Sequence, residues 1–142
     1  MSASPSTGPS AQIDEAGAHE VRAWLLAMQD CVRTLDFDRA RALFAGDVRA
    51  FGTRASAVGG LDELELEQWR LTWPTIRDFT FRLDGAHVLG DRRRVTVFVE
   101  WTSQGHDGAG MSYERPGRAT LVLERRHERL VAVHSHFSLV PE

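Results

Sequence analysis

Two histidines near the end of the sequence have a spacing that could serve metal chemistry. His134 and His136 lie two residues apart within LVAVHSHFSLV, where apolar residues alternate as they do in a β-strand. Because side chains two apart on a strand point to the same face, both imidazoles face the same way. Such a pair can supply two ligands to zinc, which needs at least one more protein ligand.

The rest of the sequence does not complete a metal site. No HExxH or CxxC motif and no cluster of acidic residues accompanies the histidine pair. The alternate residues that include Ser135 and Phe137 form the more apolar stripe of the strand, which turns His134 and His136 outward. We therefore predict no metal, and we expect the two histidines to be neutral and hydrogen-bonded at a subunit interface.

Two tryptophans on a predicted helix could cover a ligand pocket. Trp69 and Trp73 lie four residues apart, so they project from one face of the helix, beside Leu66. That face could bind a ring-shaped ligand. Packing in the hydrophobic core is the simpler role for the pair, since aromatic side chains dominate ordinary cores.

Length and composition indicate one globular domain. The chain has 142 residues, of which 42% are hydrophobic and 26% charged. We assign the domain to residues 13–142 and expect residues 1–12, rich in Ser, Pro and Ala, to be a disordered tail that lacks the features of a secretory signal. The single cysteine, Cys31, fits a reducing compartment, so we expect a cytoplasmic protein.

Charge and hydropathy exclude several classes of partner. The net charge of −3 comes from 17 basic and 20 acidic residues spread along the chain, which argues against nucleic-acid binding. No apolar run is long enough to span a membrane. The glycine-rich GHDGAGM is not followed by a predicted helix and so lacks what a phosphate cradle requires. We predict no cofactor.

Predicted helices come first along the chain and predicted strands last. Apolar residues at three- and four-residue spacing predict helices over residues 14–35, 36–46 and 61–73, the first capped by Asp14 and the third ended by Pro74. DVRAF predicts a short strand between the second and third helices. Four alternating segments then predict long strands: IRDFTFRL running into AHVLG, RRRVTVFVEWTS, GRATLVLERR and LVAVHSHFSLV. This segregation favours an α+β fold with an antiparallel sheet.

The predicted strand over residues 95–102 carries bulky side chains on both faces. Val97, Val99 and Trp101 lie on one face, and Phe98 lies on the other. The helices can cover only one face of the sheet, so an apolar second face indicates a partner subunit. We assign the face with Val97, Val99 and Trp101 to the interface of a homodimer.

These elements together resemble the nuclear transport factor 2-like superfamily, whose fold is cystatin-like. The resemblance covers residues 21–141: a helical hairpin, a short strand, a GT-containing loop that ends in GG, a third helix, a long hairpin and the closing LVAVHSHFS. The sequence is most similar to SnoaL-like domains and to the association domain of calcium/calmodulin-dependent kinase II, whose last strands similarly read Val-His-aromatic-His. The resemblance implies a cone-shaped, curved antiparallel sheet wrapped around three helices, with an apolar pocket at its open end.

The resemblance also implies a set of site residues. It turns the face of the long strand that carries Phe98 and Glu100 toward the pocket. A carboxylate among aromatic walls can act as an acid or base, which makes Glu100 the candidate catalytic residue. An ion pair with Arg118 or another arginine at the pocket rim is the alternative role for Glu100. The expected pocket walls are Phe51, Trp69, Trp73, Phe98, Leu121, Ser135 and Phe137.

This sequence lacks the residues that known activities of the superfamily require. Ketosteroid isomerase chemistry needs a carboxylate base and a tyrosine donor, but the matching positions hold Phe51 and Met28. The positions that carry arginine in the pocket of the association domain hold Glu100, Leu121 and Phe137 in this sequence. The absence of these arginines argues against a pocket for a small carboxylate.

Two functions stay open on the sequence alone. The first is a SnoaL-like domain whose apolar pocket binds a small apolar molecule, as a lyase, isomerase or hydrolase of unassigned substrate with Glu100 as acid or base. The second is a non-catalytic association module. A homodimer is expected in either case, and the sequence leaves open whether the protein is an enzyme.

Overall fold

Three helical segments pack on one face of a large curved sheet in the computed structural model, which describes residues 13–54 and 56–141. The tail predicted for residues 1–12 lies outside the described residues. The α+β class and the cystatin-like architecture expected from the sequence are confirmed.

The first helix agrees with its predicted bounds to within one residue at each end. α1 spans Glu15–Thr34, and Asp14 caps it by accepting a hydrogen bond of 2.8 Å from the backbone N–H of Gly17. Leu35 ends the helix in the left-handed conformation. α2, Phe37–Arg41, is shorter than predicted because the chain already enters a strand at Phe44.

The third helical segment, residues 61–75, occupies the predicted place but is not a regular α-helix. It consists of α3 (Leu61–Leu64), a π-helical turn (Glu65–Trp69), α4 (Arg70–Thr72) and a 3₁₀ turn (Trp73–Thr75). Pro74 therefore lies inside the last turn instead of following it.

Among the described residues, eight strands form one sheet in the order β2-β1-β8-β7-β5-β3, with β4 and β6 also paired to β5. They are β1 (Phe44–Phe51), β2 (Val58–Gly59), β3 (Arg77–Phe81), β4 (His87–Gly90), β5 (Arg94–His106), β6 (Ser112–Glu114), β7 (Gly117–Arg126) and β8 (Arg129–Leu139). β1 runs parallel to β8, so the sheet is mixed and not wholly antiparallel as expected. The segment predicted as one strand before β5 is broken by a 3₁₀ turn, Leu83–Gly85, into β3 and β4.

The register of the central strands decides which side chains face the helices. Val97 lies opposite Leu121, and Leu121 lies opposite Ser135. Cross-strand partners share a face of the sheet, and all three residues are buried. Val97, Val99 and Trp101 therefore belong to the inner face, and their assignment to a dimer interface is wrong.

One hydrophobic cluster joins the helices to the inner face of the sheet. It includes Val21, Leu25 and Met28 of α1 and the inner side chains of β5 and β7. Trp24 is fixed in this core because its indole Nε1–H donates to the Leu43 carbonyl at 3.1 Å. Within the described residues, no helix combines the length and apolar character needed to cross a bilayer. The cytoplasmic location stays a prediction.

Candidate functional site: a cavity beneath the third helical segment

A small cavity lies between α1, the third helical segment and the inner face of the sheet. Its aromatic walls are Trp69, Trp73, Phe79, Trp101 and Phe137. Its volume is about 40 Å³, far below the roughly 300–1,000 Å³ of typical ligand pockets. All the empty space between the lining atoms, open solvent included, is about 470 Å³. A ligand can therefore place only a small group in the cavity.

The π turn places four inward-facing side chains of the third helical segment at this cavity. Residues at four-residue intervals face inward along the third helical segment: Leu61, Leu64 and Glu65, Gln68 and Trp69, then Thr72 and Trp73. An α-helix repeats every 3.6 residues, so a four-residue pattern would gradually rotate away from the core. The wider turn of Glu65–Trp69 underwinds the helix and keeps the pattern on one face. Gln68, Trp69, Thr72 and Trp73 consequently all line the cavity.

A stack of three rings holds the tryptophan wall in place. The rings of Trp69 and Trp73 are stacked with centroids 4.9 Å apart, and Phe37 stacks on Trp73 at 5.4 Å. The guanidinium of Arg70 lies 4.4 Å from the centre of the Phe37 ring. Trp73 is therefore packed between two rings, which restricts its rotation.

Arg115 brings a buried positive charge to the cavity. Only 8% of the residue is exposed. It lies opposite Ser103 of β5, and its guanidinium donates to Ser103 Oγ at 3.1 Å and to Thr53 Oγ1 at 3.3 Å. Among the described residues, no carboxylate forms an ion pair with it. Burial lowers the pKa of Arg115; the nearby Tyr113 opposes this effect, and the charge of Arg54 adds to it.

Three further polar atoms at the cavity are buried without a partner. Gln68 Nε2, Thr72 Oγ1 and Trp101 Nε1 make no hydrogen bond to any of the described residues. All three side chains line the cavity, together with Arg115. Buried polar groups normally find a hydrogen-bond partner, because leaving one unpaired costs about 1–3 kcal/mol. Their concentration in one place distinguishes this cavity from an ordinary packing defect.

Two glycines make room for these polar side chains. A Cβ at Gly52 would lie 2.3 Å from the amide of Gln68, and a Cβ at Gly117 would lie 2.1 Å from the Trp101 ring. Neither distance is possible between real atoms, so any larger residue would displace the cavity wall. Gly117 is also the direct cross-strand partner of Trp101.

The outer face of the sheet carries two aromatic residues that were expected in the pocket. Phe98 and Phe51 are 42% and 44% exposed. They belong to a row of cross-strand partners on the outer face: His87, Phe98, Thr120, His136 and Phe51. Their assignment to the pocket wall is wrong, since alternation places Phe98 opposite to its buried neighbours Val97 and Val99.

The two histidines lie on the outer face, where the sequence places them. The Phe51 ring contacts both, with centroid distances of 5.4 Å to His134 and 5.2 Å to His136. The Nδ1 atom of His134 lies 2.9 Å from the carbonyl oxygen of Arg49. Their role at a subunit interface stays a prediction. Within the part of the chain that the structure describes, no three His, Cys, Asp or Glu residues are grouped to hold a metal ion.

Glu100 is on the outer face as well, away from the cavity. Its side chain is 64% exposed and forms an ion pair of 3.0 Å with Arg82. Arg118 is its cross-strand partner on β7. The expected position of Glu100 among the aromatic walls is therefore wrong, and an arginine ion pair, the alternative role, is what the structure contains.

The other expected wall residues divide into two groups. Trp69, Trp73 and Phe137 line the cavity. Leu121 and Ser135 are buried on the inner face but lie in the core outside the cavity lining. Trp101, expected at the interface, is a cavity residue.

The cavity residues suit binding better than proton transfer. Among the described residues that line it there is no Asp, Glu, His, Cys or Lys, which are the usual acids and bases of enzymes. What the lining offers is aromatic surface and hydrogen-bond donors.

Comparison with known proteins identifies the fold and family. The family model described as a SnoaL-like domain matches residues 21–142. No curated protein sequence matches the chain.

Solved structures with the same fold share little sequence with this chain. A nuclear transport factor 2-like superfamily protein from Salmonella enterica serovar Typhimurium superposes with a TM-score of 0.76 at 14% identity, covering 89% of this chain and 93% of that one. A nuclear transport factor 2-like protein from Pseudomonas putida gives 0.74 at 19% identity, covering 92% of each chain. The association domain of C. elegans calcium/calmodulin-dependent kinase II gives 0.70 at 17% identity, covering 87% and 96%.

Proposed function

This chain belongs to the family of SnoaL-like domains, and we propose that it binds a small, largely apolar molecule in the cavity beneath the third helical segment. The observation that carries the proposal is the group of unpartnered polar atoms among aromatic walls. Gln68, Thr72, Trp101 and Arg115 line one cavity, and three of them place there a buried atom without a partner among the described residues.

The energetics of these groups favour a ligand. Each unpaired polar atom and each unpaired buried charge destabilises the folded state. A bound molecule that supplies acceptors would offset this cost, and ligand sites commonly combine apolar walls with a few convergent polar groups. The proposal is one of binding, because the described residues that line the cavity include no Asp, Glu, His, Cys or Lys to which a proton-transfer step could be assigned.

The four tryptophans allow a direct test of cavity binding. In ¹⁵N-labelled protein each indole N–H gives its own resonance, and Trp→Phe variants assign them. We expect indole and benzamide, used as probes, to shift the resonances of Trp69, Trp73 and Trp101, which line the cavity. Trp24 is the internal control because its N–H is already bonded to Leu43.

A cavity-filling variant supplies the matched control. Val32 lines the cavity from α1, and Val32→Leu adds one methylene-sized group to a space of about 40 Å³. We expect Val32→Leu to weaken binding of both probes with little change in stability. Leu26→Phe adds bulk at an exposed position of the same helix and should leave binding unchanged. Equal shifts of all four resonances, or equal binding by both variants, would contradict the proposal.

The outer face of the sheet favours a second function, association with another copy of the chain. Its central row, from His87 through Phe98 to Phe51, contains aromatic, histidine and threonine side chains without a carboxylate or guanidinium. Glu100, Arg82 and Arg118 border this row with charges. A centre that is depleted of charged residues and contains aromatic rings, surrounded by a charged rim, is the usual composition of a protein interface.

Light scattering of two charge variants tests this association. We expect the wild-type protein to be a dimer at micromolar concentration and Phe98→Glu to be a monomer, because a buried unpaired carboxylate would oppose association. Leu66→Glu is the control, since Leu66 is exposed on the third helical segment, outside the outer face. A monomeric wild-type protein, or a dimer that survives Phe98→Glu, would refute the outer face as the interface.

A further inference from the structure

We infer that the cavity ligand carries an anionic oxygen, as a small aromatic carboxylate does, and that Arg115 binds this group. The inference rests on the proposed binding function and adds the chemical class of the ligand. It assigns a role to an arginine that the sequence analysis did not single out.

The charge inside the cavity is not balanced by a counter-ion. The guanidinium of Arg115 is buried beside the Trp101 ring, 5.7 Å from the ring centre, and its hydrogen-bond partners are the uncharged hydroxyls of Ser103, Thr53 and Tyr113. The other buried charged residue among those described, Glu65, is paired: it accepts from both Arg41 and Arg70. A buried charge without a counter-ion costs free energy that an anionic ligand would offset.

The cavity offers mainly hydrogen-bond donors. A guanidinium has five N–H donors and no acceptor, and hydrogen bonds to the Ser103, Thr53 and Tyr113 hydroxyls leave some of these donors free. The unpartnered Trp101 Nε1 is a donor only, and so is the unpartnered Gln68 Nε2. A carboxylate is an acceptor with two oxygens and about four lone-pair sites, so it matches this set.

The size and the remaining walls of the cavity limit the rest of the ligand. A volume of about 40 Å³ admits a head group such as a carboxylate but not a ring in addition. The rest of the lining is largely aromatic, which suits an apolar ligand body. A planar aromatic or short apolar acid therefore fits better than inorganic phosphate, which has no apolar part.

Paired charged and neutral probes test the inference. We would titrate benzoate and phenylacetate against their neutral amides, benzamide and phenylacetamide, and follow the indole N–H resonance of Trp101, with Trp24 as the unresponsive reference. We expect each acid to bind at least about tenfold more tightly than its amide, the usual margin for one charge-assisted hydrogen bond.

Three arginine variants locate the charge that is responsible. Arg115→Gln should remove the preference for the acids while leaving amide binding, and Arg115→Lys should retain only part of it because the planar fork is lost. Arg118→Gln is the matched control, since Arg118 is exposed on the outer face and its guanidinium bonds to Ser138. Arg118→Gln should leave both series unchanged.

Each outcome separates the inference from the function on which it rests. Amides that bind as well as acids would overturn the anionic ligand but leave cavity binding intact. Acids that bind equally to Arg115→Gln, or lose as much affinity in Arg118→Gln, would overturn the role of Arg115. No response of the cavity tryptophans to either series would overturn cavity binding and the inference together. The wild-type comparison of acid with amide decides the ligand class even if Arg115→Gln fails to fold.

Discussion

Replacing Gly117 by alanine should destabilise the protein by forcing the Trp101 ring out of its place. Gly117 lies directly opposite Trp101, and a Cβ there would be 2.1 Å from the nearest ring atom. Real Cβ atoms essentially never approach closer than 3.0 Å, so the ring or the strand has to move by about 1 Å or more. The ring is packed on Phe79 and Phe137, and the cavity beside it is small.

The size of the effect follows from two opposing contributions. Overpacking a well-packed core costs about 1–3 kcal/mol. Gly→Ala exchange at an unstrained position returns about 0.4–1 kcal/mol through the unfolded chain, and Gly117 has no left-handed conformation that would cancel this gain. With about 2 kcal/mol for overpacking and about 0.7 kcal/mol for the opposing gain, we expect Gly117→Ala to lower the free energy of unfolding by about 1.3 kcal/mol. For a domain of this length the midpoint of thermal unfolding should fall by about 5 °C.

Gly46→Ala is the matched control for this experiment. Gly46 is also in a strand, but a Cβ there would meet nothing within 4 Å. It should be neutral or raise the free energy of unfolding by about 0.5 kcal/mol. Urea and thermal unfolding followed by circular dichroism measure both variants. If Gly117→Ala is as stable as Gly46→Ala, the contact between β7 and the Trp101 ring is not as close as described, and the reasoning about the cavity wall fails with it.

Three further predictions concern buried polar groups. The hydrogen bonds from Arg41 and Arg70 lower the pKa of Glu65 below its ordinary 4.5, so this stabilisation is present above that pH and is lost as the pH falls through the lowered pKa. Glu65→Gln should therefore cost about 1–2 kcal/mol at pH 7 and weaken the acid dependence of stability, as urea unfolding at pH 7 and pH 3 would show. Arg115→Met should change the free energy of unfolding by less than about 1 kcal/mol, because the loss of its hydrogen bonds is offset by the removal of an unpaired buried charge. A loss as large as that in Glu65→Gln would mark Arg115 as a structural residue. Cys31 is buried, and burial raises the pKa of its thiol. Because a buried thiol is out of reach, an aromatic disulfide reagent should modify it only at the rate of unfolding. Rapid reaction in the native protein would contradict its burial.

The helices could be predicted from the sequence because their signals are local. The three-and-four spacing of apolar residues in α1 and the Asp14 cap both depend on residues within one turn of each other. The π turn in the third helical segment could not be predicted in this way. It satisfies the packing of Gln68 and Trp69 against the sheet, which no local propensity records.

The faces of β5 were assigned wrongly because alternation alone does not say which face is inside. Both faces of this strand carry bulky side chains, and the inward orientation of Glu100 was implied only by the resemblance to the family. The register gives the answer: Leu121 is buried on the inner face, and its cross-strand partner Val97 must share that face. Pairing between distant strands is a tertiary property, so the sequence pattern of one strand could not supply it.

Arg115 escaped the sequence analysis because nothing near it in the chain marks it as buried. It lies between β6 and β7, beside Pro116, where a solvated loop arginine is the ordinary expectation. Its burial depends on Ser103, twelve residues earlier, and on Thr53, 62 residues earlier. Arg115 does not lie at any of the positions that carry arginine in the association domain. The absence of arginine from those positions therefore does not exclude an anionic ligand here.

The two proposed functions use opposite faces of the same strands and should therefore be separable. Glu100 is exposed on the outer face while its neighbour Trp101 lines the cavity, so an association surface and a cavity wall alternate along β5. Mutations at sites that share no partner usually have additive effects. Phe98→Glu should abolish association without changing the affinity of the cavity for benzoate, and Arg115→Gln should do the reverse. Strong coupling between the two variants would mean that association reshapes the cavity, and the ligand would then have to be sought in the dimer and not in the isolated chain.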